Sequence, residues 1–415
     1  MTNETVANDA VNPESRMLSG IRVLDLCRDL SGPYTSMMLA ELGADVIEVE
    51  HPVKGDETRS WPPFIDGVSG YFSTINRSKR GIAVDLKDEE GLKIILELAS
   101  RADVVMQSFT PGVADRLGVG YDAIRALKPD VVYYSISGYG QDGPWREKRG
   151  YDPILQAASG FMSLTGEAGR GPVKTIVPIA DVSTAIYGSS AILGALFHRE
   201  RTKTGQYIDM SMMDVMVSLL SVVGTRYLLT GVVPQRNGTE NPQRVPSSAY
   251  ECSDGKLIQA VPNQRQWPAF CNVLGHPEWV DDERYENPAV RVTNQDTLYP
   301  EVRRAFKTRT SEEWAKALDE ATIACSPIYS IDEVFNLPQV QARNMVQSYD
   351  VAGYGEVPAI GSPVKYSATP VRISSPPPRH GQHTVEVLKE LGRSDDDIRQ
   401  LINQKSVFAE KGAPS

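Results

Sequence analysis

Cysteine and histidine are scarce in this chain, with four Cys and five His in 415 residues. Cys27, Cys252, Cys271 and Cys325 form no C-x-x-C pair. That spacing argues against a zinc site, a redox dithiol and a disulfide framework. His51, His198, His276, His380 and His383 are scattered, and no H-E-x-x-H, G-x-S-x-G or Walker A sequence occurs. No metal site is expected. No unbroken apolar run reaches the length of a membrane span. Positive charge is in deficit, with 43 Lys and Arg against 53 Asp and Glu and a formal net charge of -10. A field of that sign disfavours nucleic acid and anionic membrane as partners. The first residues lack a basic start and an apolar core, so they are not read as a signal peptide. Residues 1–17 are expected to be a disordered leader, and the cytoplasm is the expected location.

What is present is ordinary for a globular protein: 41% hydrophobic and 23% charged residues. The length suits more than one domain. IRVLDL reads as a buried strand, SGPYTSMMLAEL as a helix opened by Gly32-Pro33, and DVIEVE as the next strand. Strand, helix and strand at this spacing imply a parallel pair with a right-handed crossover. The pattern recurs through a helix at 88–101 and strands at 103–106 and 130–136. The predicted fold is therefore α/β: a large domain built on an open parallel, Rossmann-like sheet, plus a smaller α+β domain. Its expected bounds are 18–234 for the first part of the large domain, 235–335 for the small domain, and 336–415 for the return to the large one. Residues 208–229 are expected to be helical.

Asp181 stands out. From Thr175 to Phe197 it is the only carboxylate or base, and small residues follow it: Ser183, Thr184, Ala185, Gly188, Ser189 and Ser190. Ahead of an apolar run, it sits where helix N–H groups favour an anion. It reads either as an N-cap or as a working carboxylate with room beside it for a ligand. Asp152, in GYDP, is a second carboxylate before a helix. Gly138 to Gly143 matches G-x-G-x-x-G, but Pro144 and the charged run WREKR follow instead of a helix. That disfavours a dinucleotide site. Basic residues gather in the first third: Arg28, Arg59, Arg77, Lys79, Arg80, Lys87, Arg116, Arg146, Lys148 and Arg149. They read either as solvated surface or as a site for a multiply phosphorylated small molecule.

The blocks LDLCRDLSGPYTSMMLAELGADVIEVE, INRSKRGIAVDLK, QSFTPGVADRLGVGYDAI, SISGYGQDGP, GYDPILQAASG, IADVSTAIYG, KTGQYIDMSMMD and GQHTVEVLKELG occur in this order. Together they resemble the class III CoA-transferases, the family of formyl-CoA and carnitine CoA-transferases, to which the α-methylacyl-CoA racemases are related. The likeness runs from Leu18 to about Ile402. It implies that Asp181 is the catalytic aspartate and that Tyr151 and Asp152 face the reacting centre. It implies CoA contacts at Arg28, His51, Val84, Lys87, Ser108, Phe109, Arg116, Arg149 and Met212. Acyl-CoA and a carboxylic acid would be substrates, with no permanently bound cofactor. The resemblance also implies an interlocked homodimer with active sites between large and small domains, although some members work as heteromers of homologous subunits.

Three departures stand out. Leu30 occupies a position where some transferases have Gln. RNGTENPQ replaces the glycine run of the formyl-CoA enzyme's mobile loop. Tyr151 replaces the His of the racemases, which leaves a poor base near neutral pH.

Exchange of CoA between two acids is nearly isoenergetic and needs only a carboxylate able to carry an acyl group. Asp181 is expected to form a mixed anhydride and then an aspartyl-CoA thioester. Gly138 and Gly140 are candidate backbone donors to the oxyanions. Succinyl-CoA or another dicarboxylic donor is expected, with a dicarboxylate or substituted succinate as acceptor. Arg236, Arg244 and Arg265, near the start of the small domain, are the candidate partners of a free carboxylate. The alternatives are an acyl-CoA racemase or epimerase of the same fold and a non-catalytic CoA-binding subunit.

Overall fold

A computed structural model of the chain describes residues 16–65, 67–351 and 355–410. Nearly all of the expected leader lies outside these residues. Arg16, its last part but one, is ordered and donates to the Glu41 carbonyl at 2.8 Å.

The described chain divides into two compact units. The larger comprises the N-terminal part through Ser159, then Ile176–Thr225, then Asn344 onward. Its seven-stranded sheet uses β1 (Arg22–Leu26), β2 (Asp45–Glu50), β3 (Arg80–Val84), β4 (Val104–Gln107), β5 (Val132–Ser137), β6 (Gln206–Ser211) and β7 (Val407–Phe408). The spatial order is β7-β3-β2-β1-β4-β5-β6. Every pairing is parallel except β7 on β3. This is the expected open α/β sheet. Its order reverses between β1 and β4, and such a switch point leaves a crevice beyond the strand ends.

Strands β1 to β5 are almost wholly buried, as parallel strands covered on both faces must be. On one face, Leu24, Ile47, Ile82 and Val105 pack with Ile94, Ile95 and Leu98 of α2 (Glu89–Arg101) and with Val387, Leu388 and Leu401 near the C-terminus. The other face carries a fully buried ion pair, Lys79 with Asp25 at 3.4 Å. Asp25 also accepts from the Ser36 hydroxyl of α1 (Ser31–Glu41) and from the Cys27 N–H at 2.9 Å. One carboxylate thus fixes the first βα turn and the helix that follows it.

Two readings need correction. Residues 208–211, expected to be helical, belong to strand β6, because the segment pairs with β5 along its length and this overrides the general apolarity of the region. The C-terminus adds strand β7 after its two helices, because Val407 and Phe408 close the open edge of β3.

The smaller unit comprises Gly160–Thr175 and Arg226–Arg343. It is α+β. A three-stranded antiparallel sheet of Ser248–Glu251, Leu257–Ala260 and Cys325–Pro327 packs with helices Trp267–Leu274, Gln295–Phe306 and Ser311–Glu320. Tyr250 stacks on Phe306 at 4.4 Å within a core that includes Trp267, Phe270 and Trp314.

Candidate active site

Because β1 to β6 run parallel, their C-terminal ends share one edge of the sheet. The nominated residues follow those ends: Arg28 after β1, His51 after β2, Lys87 after β3, Ser108 and Phe109 after β4, and Met212 after β6. At the switch point the Arg28 N–H donates to Ser108 Oγ at 2.9 Å. The Arg28 guanidinium lies 5.7 Å from the centre of the Phe109 ring. Phe109 is itself steered by its N–H, which donates to Gln107 Oε1 at 2.6 Å. His51 turns inward to its own loop, where Nδ1 accepts from Val53 N–H at 3.1 Å. Lys87, Arg116 and Arg149 are exposed. Val84 is only 2% exposed and its side chain belongs to the core, so a ligand could meet only its backbone.

Asp181 lies in the first turn of α4 (Ile179–Thr202) and is not its cap; Pro178 holds that position. The Ser31 hydroxyl, at the start of α1, donates to Asp181 Oδ1 at 2.6 Å. Burial pushes the Asp181 carboxyl up to about 6. The Ser31 hydrogen bond opposes that rise, while the negative charges of Asp152 and Asp29 add to it. Several of the small residues after Asp181 serve helix packing. Ser183, Thr184 and Ala185 are buried, and α4 packs along α1. A Cβ on Gly188 would stand 2.1 Å from the Tyr134 hydroxyl and 3.1 Å from Thr35 Oγ1. The pattern is the close approach of two helices, which serves to hold Asp181 beside Ser31. Although α4 is long and apolar enough in composition to cross a membrane, this face is covered within the unit.

Asp152 begins α3 (Asp152–Ala158) and is 7% exposed. Its Oδ1 accepts from the Ala180 N–H at 2.8 Å and its Oδ2 from Gln156 Nε2 at 2.7 Å. It therefore fastens the start of α4 rather than presenting a free carboxylate. Tyr151, 59% exposed, turns outward. The loop between β5 and α3 returns because Gly138 and Gly150 meet back to back; a Cβ on Gly150 would lie 2.8 Å from the Gly138 Cα. Gly140 is not a spare oxyanion donor, since its N–H already donates to Ser137 Oγ at 2.9 Å.

The basic cluster divides. Arg59 pairs with Glu50, Arg77 with Glu41, Lys79 with Asp25, and Arg80 with Asp45, Glu386 and Glu390. These four are internal ties, neither solvated surface nor ligand groups. In the smaller unit, Arg236 is occupied by the carbonyls of Arg170, at 2.7 Å, and Ser163, at 3.0 Å. It holds RNGTENPQ against the 160–175 segment and is not available to a substrate carboxylate. Arg244 and Arg265 are exposed.

Two residues escaped the sequence reading. Ser31 lies inside a noted block, directly before Gly32-Pro33, but nothing local ties it to a residue far along the chain. Tyr71, on the helix Gly70–Asn76, has its phenol pushed up to about 12 by burial and then by the negative charges of Asp181, Asp29, Asp152 and Asp56. Among the described residues no group of three or more His, Cys, Asp or Glu could hold a metal ion.

Asp181, largely desolvated, upshifted and held by Ser31 at the start of α1, is the candidate carboxylate of this site. Residues 18–384 match CoA-transferase family III. The chain is 41% identical to a succinate–glutarate CoA-transferase of Agrobacterium fabrum, over 90% of this chain and 95% of that protein. It is 36% identical to the human succinyl-CoA:glutarate CoA-transferase, over 91% of this chain and 87% of that one. A crystal structure of a CAIB/BAIF family protein from Brucella suis superposes with a TM-score of 0.81 at 35% identity, covering 91% of this chain and all of that one. The chain belongs to CoA-transferase family III and is an enzyme of CoA transfer.

Proposed function

We propose that this enzyme moves CoA from succinyl-CoA to a dicarboxylate or substituted succinate, with Asp181 carrying the acyl group and then the CoA. The observation that carries this reading is the Asp181 carboxylate itself: largely desolvated, upshifted to about 6 and held by Ser31. A desolvated carboxylate that is still ionised at neutral pH is an effective oxygen nucleophile.

Asp181 attacks the thioester carbonyl and expels CoA thiolate, which leaves a mixed anhydride. The thiolate attacks the Asp181 carbonyl and expels the donor acid. The acceptor carboxylate then repeats the steps in reverse. CoA stays bound through its nucleotide end, so recapture of the anhydride behaves as an intramolecular reaction. Arg28, Ser108 and Phe109 at the switch point, with Arg116 and Arg149, are the residues assigned to that binding. The dicarboxylate assignment rests on the names of the relatives, which include glutarate-using CoA-transferases.

We place the enzyme in the cytoplasm as an interlocked homodimer. Its four cysteines are free, as a reducing compartment requires. Ile186, Tyr187 and Phe197 of α4 stand 56%, 46% and 65% exposed, a face suited to a second copy.

Incubation with succinyl-CoA followed by borohydride or hydroxylamine should modify Asp181, and Asp181→Ala should lose transfer by several orders of magnitude while binding CoA within a few-fold. Modification at Asp152 instead would move the nucleophile. A screen of donors against mono-, di- and aryl-carboxylic acids tests the substrate class. Efficient acetyl-CoA and monocarboxylate use, with none of dicarboxylates, would refute it.

A further inference from the structure

We propose that Ser31 is a catalytic residue: its hydroxyl fixes Oδ1 of Asp181 as the carbonyl oxygen of both covalent intermediates and donates to the oxyanion that forms there. The proposal rests on the reading of Asp181 as nucleophile. Ser31 is 6% exposed and its Oγ stands 2.6 Å from Asp181 Oδ1. The other acceptor described for its one proton is Met212 Sδ at 3.8 Å, a weak one, so the carboxylate holds the proton. The Ser31 backbone is held in place. Its carbonyl accepts from Thr35 Oγ1 at 2.7 Å, and α1 is anchored through Ser36 to buried Asp25. Among the described residues only Ser31 donates a hydrogen bond to the Asp181 side chain, which leaves Oδ2 to attack.

The oxygen bookkeeping follows. Oδ2 bonds to the acyl carbon of succinyl-CoA, and the C–S bond breaks with its electron pair leaving on CoA sulfur. The thiolate then bonds to Asp181 Cγ. Negative charge develops on Oδ1, where Ser31 donates without releasing its proton. The Cγ–Oδ2 bond breaks, and Oδ2 departs within the donor carboxylate. The acceptor carboxylate next attacks Cγ, again placing charge on Oδ1, and expels the thiolate. That thiolate attacks the acceptor acyl carbon and returns to Asp181 one oxygen from the acceptor. Oδ1 is therefore never exchanged, and the other oxygen is replaced at every turnover.

The test uses full-length enzyme turning over succinyl-CoA with excess oxygen-18-labelled dicarboxylate acceptor, followed by mass spectrometry of the Asp181 peptide. Wild type should plateau at one labelled oxygen. Ser31→Ala frees the carboxylate to rotate and should proceed to two. The same variant should lose about a hundred-fold in kcat, the scale of one lost oxyanion donor, with KM for succinyl-CoA little changed. Ser31→Thr should restore single labelling and much of the rate. Loss of this donor should also move the acid limb of kcat/KM to higher pH, with Asp152, Asp29 and Tyr71 left as the charged and titratable groups around Asp181. Two labels in wild type, or a single label and undiminished kcat in Ser31→Ala, would overturn the proposal alone. No label at Asp181 in either protein would remove the nucleophile reading and this proposal with it.

Discussion

The Asp152 carboxylate accepts the backbone N–H of Ala180, the residue before Asp181, at 2.8 Å. One carboxylate is thus spent on aiming another. Its own charge also helps hold the Asp181 carboxyl up. The two contributions can be separated. Asp152→Asn keeps an acceptor for Ala180 but removes the charge, so the acid limb of kcat/KM should move to lower pH with kcat largely kept. Asp152→Ala leaves a buried N–H unpaired, which should cost about 1–3 kcal/mol of stability and much of kcat. Equal behaviour of the two variants in denaturant melts and pH profiles would show that Asp152 acts otherwise.

The pH dependence of the wild type follows from Asp181. The nucleophile must be ionised, so kcat/KM should fall as pH drops through about 6. The stability consequence has the opposite sense. A carboxyl with a raised native pKa binds its proton more tightly folded than unfolded, so its contribution is complete below about 4 and is lost as pH rises through 6. Asp181→Asn should therefore be more stable than wild type at neutral pH by about 3 kcal/mol, and no more stable near pH 4. Urea melts at the two pH values measure it, and a stabilisation independent of pH would contradict the assignment.

Gly188 lets α4 lie against Tyr134 and Thr35. Gly188→Ala should cost about 1–3 kcal/mol through overpacking and reduce transfer by displacing Asp181. Because the nearest clash is with the Tyr134 hydroxyl, adding Tyr134→Phe should recover part of the loss. A double-mutant cycle measures this coupling, and strict additivity would show that the two residues do not meet.

Arg116 and Arg149 carry the phosphate end of CoA in this reading. Changing either to Ala should raise KM for every acyl-CoA donor by about ten-fold, the scale of one charged hydrogen bond. A rise confined to the KM of the acceptor acid would show that they read the substrate instead.

Much of the fold was legible because it is local. IRVLDL and DVIEVE are strands on hydrophobicity alone, and the helix between them is opened by Gly32-Pro33. Strands β6 and β7 were not legible. Each is an edge strand whose identity depends on the partner it finds, β5 for one and β3 for the other. The basic cluster misled for a similar reason, since a list of arginines does not say which already face Glu41, Glu50 or Asp45.

By itself the sequence determined the α/β class and the family, and it singled out Asp181 as the candidate carboxylate. The class rests on the strand–helix–strand order, and the family and the candidate on eight blocks occurring in sequence. Only the tertiary structure decided what surrounds that acid. Ser31 and Asp152 come to it from two separate segments, brought there by packing of α1 and α3 against α4, and Gly188 on α4 itself permits the approach of α1. A hydrogen bond between residues 150 positions apart has no local signature. It is set by the sheet order that places β1 beside β4 and by buried Asp25, which anchors α1 beneath it.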